Sequence, residues 1–238
     1  GSFLIFVWDS RSGLALLAND HAGSRPVYYA EQNGHLYFSP EPKGIARLPG
    51  VRTTIDQLAL LAFLSQGNLL ECQTYYREIR ALPPGSALRI GRGRVELHRH
   101  YRYTPCAAGP GRGMPAYIDE LAPLLRAAVA KRAHHLRRAV IPISGGFDSR
   151  GILACLSEIS GSRLRTVSWG TDETTLDADA AIGRSLAERF GTEHRFLRRD
   201  PAVLPRHVEE MVARVDGMTA DPALHYPELQ FMRLIRGE

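Results

Sequence analysis

Ile141-Pro142-Ile143-Ser144-Gly145-Gly146-Phe147-Asp148-Ser149-Arg150 decides how the second half of this chain is read. The apolar run Ala139–Ile143 reads as a buried strand and Gly151–Glu158 as a helix, so the glycines and polar residues between them occupy a strand-to-helix junction. Such a junction is an anion site, because backbone N–H groups at a helix N-terminus lack intrahelical partners and the helix dipole favours negative charge there. Gly145 and Gly146 allow close approach of an oxyanion, and the Ser144 and Ser149 hydroxyls are further donors. Asp148 would repel a phosphate unless a cation lies between them, which points to Mg²⁺ held by Asp148. The segment has no lysine and is neither a GxxxxGK(S/T) loop nor a GxGxxG turn.

Outward from the loop, helices and strands alternate. Tyr117–Arg132 carries Ile118, Leu121, Leu124, Leu125 and Val129 at helical spacing and reads as a helix. Leu164–Ser168 reads as strand, Ala178–Phe190 as helix and His194–Leu197 as strand, an order that implies a parallel sheet covered by helices. Leu229, Met232, Leu234 and Ile235 suggest a last helix stopped by Gly237, and Arg236-Gly237-Glu238 reads as its C-terminus. Upstream, residues 104–115 are rich in Gly, Pro and small residues and read as a linker. Residues 1–103 read as β-rich, a meander of hairpins from Phe3–Trp8, Leu14–Ala18, Val27–Ala30 and Leu36–Ser39, with a further hairpin across Gly91-Arg92-Gly93-Arg94. A helix is expected from Asp56 to about Gln66, capped by Thr54, closed by Gly67, with Ile55, Leu58, Ala59, Ala62 and Phe63 on one face.

The 238 residues weigh 26.4 kDa, with 44% hydrophobic residues, 23% charged and a mean hydropathy of -0.19, values of a globular chain able to bury a core. No apolar run approaches the roughly 20 residues of a membrane span, and no secretory leader is evident. Cys72, Cys106 and Cys155 are odd in number and widely spaced, so neither a disulfide framework nor a zinc site is indicated and a cytoplasmic location fits. The net charge of +5 comes from arginine, since Lys43 and Lys131 are the only lysines. That balance admits nucleic acid as well as a nucleotide. The basic cluster around His134-His135 has no interleaved aromatic residues, so nucleic acid is set aside and the cluster reads as a cationic helix end. Asp172, Glu173, Asp177 and Asp179 form an acidic patch, of which Asp177 and Asp179 read as favouring the N-terminus of the next helix.

Ser144-Gly145-Gly146-Phe147-Asp148-Ser149 resembles the SGGxDS pyrophosphate loop of the N-type ATP pyrophosphatases, in particular the glutamine-dependent asparagine synthetases. Asn19-Asp20-His21-Ala22-Gly23-Ser24-Arg25-Pro26-Val27-Tyr28-Tyr29 is similar to the RDxxGxxPLYY segment of that family, Phe38-Ser39-Pro40-Glu41-Pro42-Lys43 to its F-x-SExK segment and Leu82-Pro83-Pro84-Gly85 to its LPPG turn. The resemblance implies an α+β, partial N-terminal-nucleophile glutaminase domain over residues 1–103, then the start of an α/β, parallel-sheet adenine-nucleotide α-hydrolase-like (PP-loop) domain over residues 116–238. It implies ATP and Mg²⁺ as cofactors, activation of a carboxylate as an acyl-adenylate, and amide formation with ammonia from glutamine. The acid would be aspartate or a peptide-like substrate, and a homodimer is admitted. Ile143 matches the apolar residue before the loop, and Trp169-Gly170 the segment that meets adenosine.

Departures qualify that picture. The family nucleophile is an N-terminal Cys, whereas this chain begins at Gly1, and neither Cys72 nor Cys106 is terminal, so the chain reads as a fragment truncated at both ends and without glutaminase activity of its own. The second acidic loop of the family, SGxGxDE, has no counterpart here. Asn19 stands where the family has Arg, and Arg150 follows the loop where Ser is usual. Arg150 is read as reaching a phosphate or substrate carboxylate, or as solvated. Alternatives on the same scaffold are closure of a β-lactam or macrolactam, and a non-catalytic ATP-binding relative.

Overall fold

The computed structural model describes residues 1–91, 93–105, 111–133, 139–160, 163–172, 179–199, 202, 204–218 and 230–233. The chain divides into two compact units, one of Gly1–Cys106 with Glu209–Pro222 and one of Ala107–Val208 with Ala223–Glu238. Cys106, His134, His135, Glu173, Asp177, Leu229 and residues 234–238 lie outside the described residues.

In the first unit, β1 (Leu4–Asp9) pairs antiparallel with β2 (Leu14–Asn19), and β3 (Tyr28–Gln32) with β4 (His35–Ser39). Asn33 (φ 53°) and Gly34 (φ 73°) turn the second hairpin with two left-handed residues, the geometry that matches strand twist. After α1 (Pro42–Ala46) and α2 (Gln57–Gln66), β5 (Arg80–Ala81) adds to β3, and β6 (Ser86–Gly91) pairs with β7 (Arg94–Arg99). The strands do not form one meander. β6 crosses over to lie beside β2, giving a four-stranded sheet β1-β2-β6-β7 and a three-stranded sheet β4-β3-β5.

The segments flagged by the sequence fasten these sheets together. Asn19 is buried, its Nδ2 donates to the carbonyls of Leu82 (3.2 Å) and Pro83 (3.0 Å), and its Oδ1 accepts from the Ser86 N–H (3.0 Å). An amide has both donors and an acceptor, as this position uses; an arginine has donors only. Gly23, at φ 61°, lies so close that an added Cβ would stand 3.2 Å from Pro84 Cγ. Asp20 accepts from the N–H groups of Phe3 (3.0 Å), Ala22 (3.0 Å) and Ser24 (3.2 Å) and from the Ser24 hydroxyl (3.0 Å).

Two expectations about α2 are corrected. Its cap is Asp56, whose carboxylate accepts from the Leu58 and Ala59 N–H groups, while Thr54 is bound to Glu78 through its N–H (2.8 Å) and hydroxyl (2.7 Å). Only Ala59 is buried, and Leu58 is 74% exposed. With leucines at positions 58, 60, 61 and 64 the helix is apolar on every side, so periodicity does not choose a buried face.

In the second unit, α3 (Met114–Ala130) is followed by β8 (Val140–Pro142), α4 (Phe147–Ile159), β9 (Arg165–Gly170), α5 (Asp179–Arg189), β10 (Glu193–Arg198) and α6 (Leu204–Arg214), whose last residues belong to the first unit. In α3, which forms where the helical spacing predicts it, Ile118, Leu121, Leu124 and Leu125 are exposed, and Val129 packs against the core. β8, β9 and β10 are parallel with β9 central, as the alternation of helices and strands predicts. The core comprises Ile141, Ile143, Leu153, Leu156, Leu164 and Ala187. α5 reaches the sheet through the small residues Ala180, Gly183 and Ala187. A Cβ on Gly183 would lie 3.1 Å from Ser168 Cβ and 3.2 Å from the Ile143 carbonyl oxygen.

Gly183→Leu is therefore expected to destabilise the protein by about 1–3 kcal/mol, the usual cost of overpacking, measurable by urea unfolding. A second test concerns acid. Burial pushes the Asp20 carboxyl up, but the Phe3, Ser24 and Ala22 N–H groups and the Ser24 hydroxyl outweigh it and bring it from 3.8 down to about 2. A carboxyl depressed on folding stabilises fully above its unfolded value and loses that contribution as pH falls through its folded value. Asp20→Asn should unfold more easily than the parent at neutral pH, and the two unfolding midpoints should converge as pH drops from 3.8 to about 2.

Candidate functional site

The loop lies at the carboxyl end of β8, beside the carboxyl end of β9, where parallel sheets place their ligand sites. Ile143 is buried, and its N–H donates to the Val167 carbonyl (2.8 Å), extending the strand to the first loop residue. Ser144 and Ser149 then close the loop on itself. Ser144 N–H donates to Ser149 Oγ (3.2 Å), the two hydroxyls are 3.1 Å apart, and Gly146 N–H donates to Ser144 Oγ (3.2 Å). Ser149 Oγ also lies 3.1 Å from the Gly146 carbonyl, to which its hydroxyl donates. Both hydroxyls thus brace the turn.

Gly146, with φ -70° and ψ 146°, is the N-cap of α4 and has no side chain to cap it, and among the described residues no side chain bonds the amides of the first turn. Asp148 is exposed in that turn, and Phe147 is 85% exposed. The helix therefore starts directly at the loop, four residues earlier than the expected start at Gly151, which places Phe147, Asp148 and Ser149 at the dipole's positive end.

The two glycines differ. On Gly146 an added Cβ would meet only Ser144 Oγ, at 3.3 Å. On Gly145 it would meet Asp179 Oδ1 at 2.7 Å and Ile182 Cδ1 at 2.8 Å, because α5 closes over the loop there. Asp179 Oδ1 accepts the Gly145 N–H (3.2 Å). The sequence reading assigned Asp179 to its own helix and missed this contact; the small-residue spacing Ala180, Gly183, Ala187 was the signal that α5 packs closely enough to make it. Arg150 binds the loop itself. Its Nη2 donates to the Gly145 carbonyl, its Nε to the Gly146 carbonyl (3.3 Å), and its guanidinium carbon lies 4.6 Å from the centre of the Phe147 ring.

Trp169 and Gly170 end β9. Trp169 is half-buried with its ring 6.4 Å from that of Phe231, and a Cβ on Gly170 would lie 3.2 Å from Ala180. Behind them His194, not singled out by the sequence, stands between hydroxyls, Nδ1 3.0 Å from Thr166 Oγ1 and Nε2 3.1 Å from Ser168 Oγ. Among the described residues no group of three or more His, Cys, Asp or Glu gathers as a metal site.

A parallel sheet with a glycine-bearing strand-to-helix loop at its carboxyl edge is an α/β unit of the kind whose geometry suits an anion. Comparison with known proteins is more specific. A glutamine amidotransferase domain model matches residues 1–102, and an asparagine synthase model matches residues 120–238. The chain belongs to the asparagine synthase family, with a glutamine amidotransferase domain preceding the synthase domain. Asparagine synthetase 1 (glutamine-hydrolyzing) of Bacillus subtilis strain 168 is 24% identical over 94% of this chain, and carboxyethyl-arginine beta-lactam-synthase of Streptomyces clavuligerus is 28% identical over 76%. The chain covers 35% and 32% of these relatives, about a third of each. No helix among the described residues is long and apolar enough to cross a membrane.

Ser149 is the hub of the loop's internal bonds. Ser149→Ala should cost about 1 kcal/mol in urea unfolding, the net worth of a typical hydrogen bond, and should accelerate hydrogen exchange at the Ser144 amide, which loses its acceptor.

Proposed function

We propose that the chain is part of an ATP-dependent amidoligase that activates a carboxylate as an acyl-adenylate, releases pyrophosphate and forms an amide. The observation that carries this reading is the loop of Ser144 to Ser149, set between β8 and α4 with the first-turn amides of α4 uncapped by any side chain. Those N–H groups and the helix dipole suit the pyrophosphate portion of ATP, where negative charge grows as the leaving group departs. Gly146 leaves room for the anion, and the exposed carboxylate of Asp148 in the same turn suits the accompanying cation. Mg²⁺ held by Asp148 would neutralise phosphate charge and polarise the phosphoryl oxygens. Ile143 and Trp169-Gly170, at the ends of β8 and β9, are assigned to the adenosine side.

The match of residues 1–102 to a glutamine amidotransferase domain supports glutamine as the amine source of the whole protein and aspartate or a peptide-like acid as its acceptor, in a cytoplasmic ligase of the asparagine synthase type. Domains divided at a linker over residues 104–115 accord with that division of labour. A second reading, closure of a lactam on the same scaffold, is favoured by Arg150 where the asparagine enzymes usually carry Ser, and by the similarity to a beta-lactam synthase. Both readings share the activation step.

Isothermal titration of the 238-residue chain should show magnesium-dependent ATP binding. Asp148→Ala and Gly146→Val should each weaken it by about tenfold or more, comparable to the loss of a metal-site support. A folded sample that binds no nucleotide in the presence of magnesium would refute the loop assignment.

A further inference from the structure

The Gly145 peptide is held by charge on both sides. Its N–H donates to the Asp179 carboxylate at 3.2 Å, and its carbonyl accepts from the Arg150 guanidinium. Arg150 also holds the Gly146 carbonyl and lies against the Phe147 ring, so the loop's carbonyl side is fixed by one rigid, always charged group. On the N–H side, Asp179 is carried by an α5 packed closely onto the sheet through Gly183, where an added Cβ would lie 3.1 Å from Ser168 Cβ. Asp179 therefore presents a fixed negative charge to the loop, on a donor that an incoming phosphate oxygen would use.

The geometry points to Asp179 as a specificity-determining residue that makes the loop select magnesium-complexed over metal-free pyrophosphate groups. The inference rests on the pyrophosphate reading of the loop. A metal-free pyrophosphate brings its full negative charge next to the Asp179 carboxylate and competes with it for the Gly145 N–H. The magnesium complex brings much less net charge, so the repulsion falls while the remaining amides of the loop still donate. Asp179 is exposed, so solvent screens this repulsion, and what remains between charges in near contact suffices to separate the two ligand forms by about tenfold. Arg150 keeps the loop from swinging away, so the conflict is resolved by charge rather than by rearrangement.

The test is titration of the chain with inorganic pyrophosphate, in excess MgCl₂ and in EDTA, for the parent and Asp179→Asn. The asparagine side chain keeps an acceptor for the Gly145 N–H and removes the charge. Asp179→Asn is expected to bind metal-free pyrophosphate about tenfold more tightly than the parent, on the electrostatic scale above, with affinity for the magnesium complex changed less than threefold. Unchanged or weaker metal-free binding overturns the inference, as does a selective loss of magnesium-dependent binding, which would make Asp179 a metal ligand. No binding by the parent in either condition refutes the loop reading itself, and this inference with it. The parent chain supplies a check independent of the variant: in ¹⁵N-glycine-labelled protein, metal-free pyrophosphate added to saturation in EDTA should shift the Gly145 amide, and a Gly145 resonance that does not move overturns the competition.

Discussion

The approach of α5 to the sheet is the constraint on which the second unit depends. Gly183 lies so close to Ser168 Cβ and the Ile143 carbonyl that an added Cβ would crowd both, at 3.1 and 3.2 Å, and Ala180 and Ala187 continue the contact along the helix. This packing ties the ends of β8 and β9 to the start of α5, and so decides where three things meet: the loop after β8, the Trp169-Gly170 end of β9, and the carboxylate of Asp179. A larger residue at position 183 would lift the helix, and the Gly145 contact would go with it. Close packing of a core thus becomes a statement about the chemistry at its edge.

In the first unit the motif residues hold the fold. Asn19 binds the Leu82 and Pro83 carbonyls and the Ser86 N–H, Asp20 gathers amides from Phe3 to Ser24, and the Gly85 N–H donates to the Asp20 carbonyl at 2.9 Å. The Asn19 bonds and the Gly85 bond join segments more than sixty residues apart, which is why two short motifs distant in sequence occur together. Lys43, from the third motif, pairs with Glu41 (3.0 Å) and with Asp216 (3.1 Å), and Tyr75 donates to the Gly217 carbonyl (2.6 Å), so residues near 216 complete this unit from far along the chain.

Legibility in the sequence followed the kind of interaction. Local rules placed the strands of both units to within a residue or two and the loop at its strand-to-helix junction, because glycines, β-branched runs and periodicity report local backbone. The crossover that sets β6 beside β2 was not legible, being decided by non-local pairing through Ala15↔Ile90 and its neighbours. Nor was the burial of α2 and α3, where leucines on several faces leave the pattern without a direction. At the site, residue types were readable but partners were not. The Ser144 and Ser149 hydroxyls also bind each other; Arg150, read as reaching a ligand or as solvated, binds two carbonyls; Asp179 looks like a helix-end charge and also reaches across to Gly145. Each depends on a contact between elements, which spacing along the chain does not encode.

The proposed anion site does without lysine. In lysine-bearing phosphate loops a flexible cation reaches the phosphates directly. Here Arg150, the cation next to the loop in sequence, donates to the Gly145 and Gly146 carbonyls, and Asp179 sets a negative charge on the Gly145 N–H. Among the described loop residues, the positive ends facing a ligand are therefore backbone dipoles: the first-turn amides of α4, uncapped by any side chain. Dipoles alone complement a multiply charged group poorly beside two carboxylates, Asp148 and Asp179, and the missing charge is of the size a divalent cation supplies. Fixing the carbonyls with arginine serves this arrangement, since trans peptide planarity sends the Phe147 N–H away from the Gly146 carbonyl that Arg150 holds. The cation thus acts on the anion site through the orientation of the backbone rather than by contact.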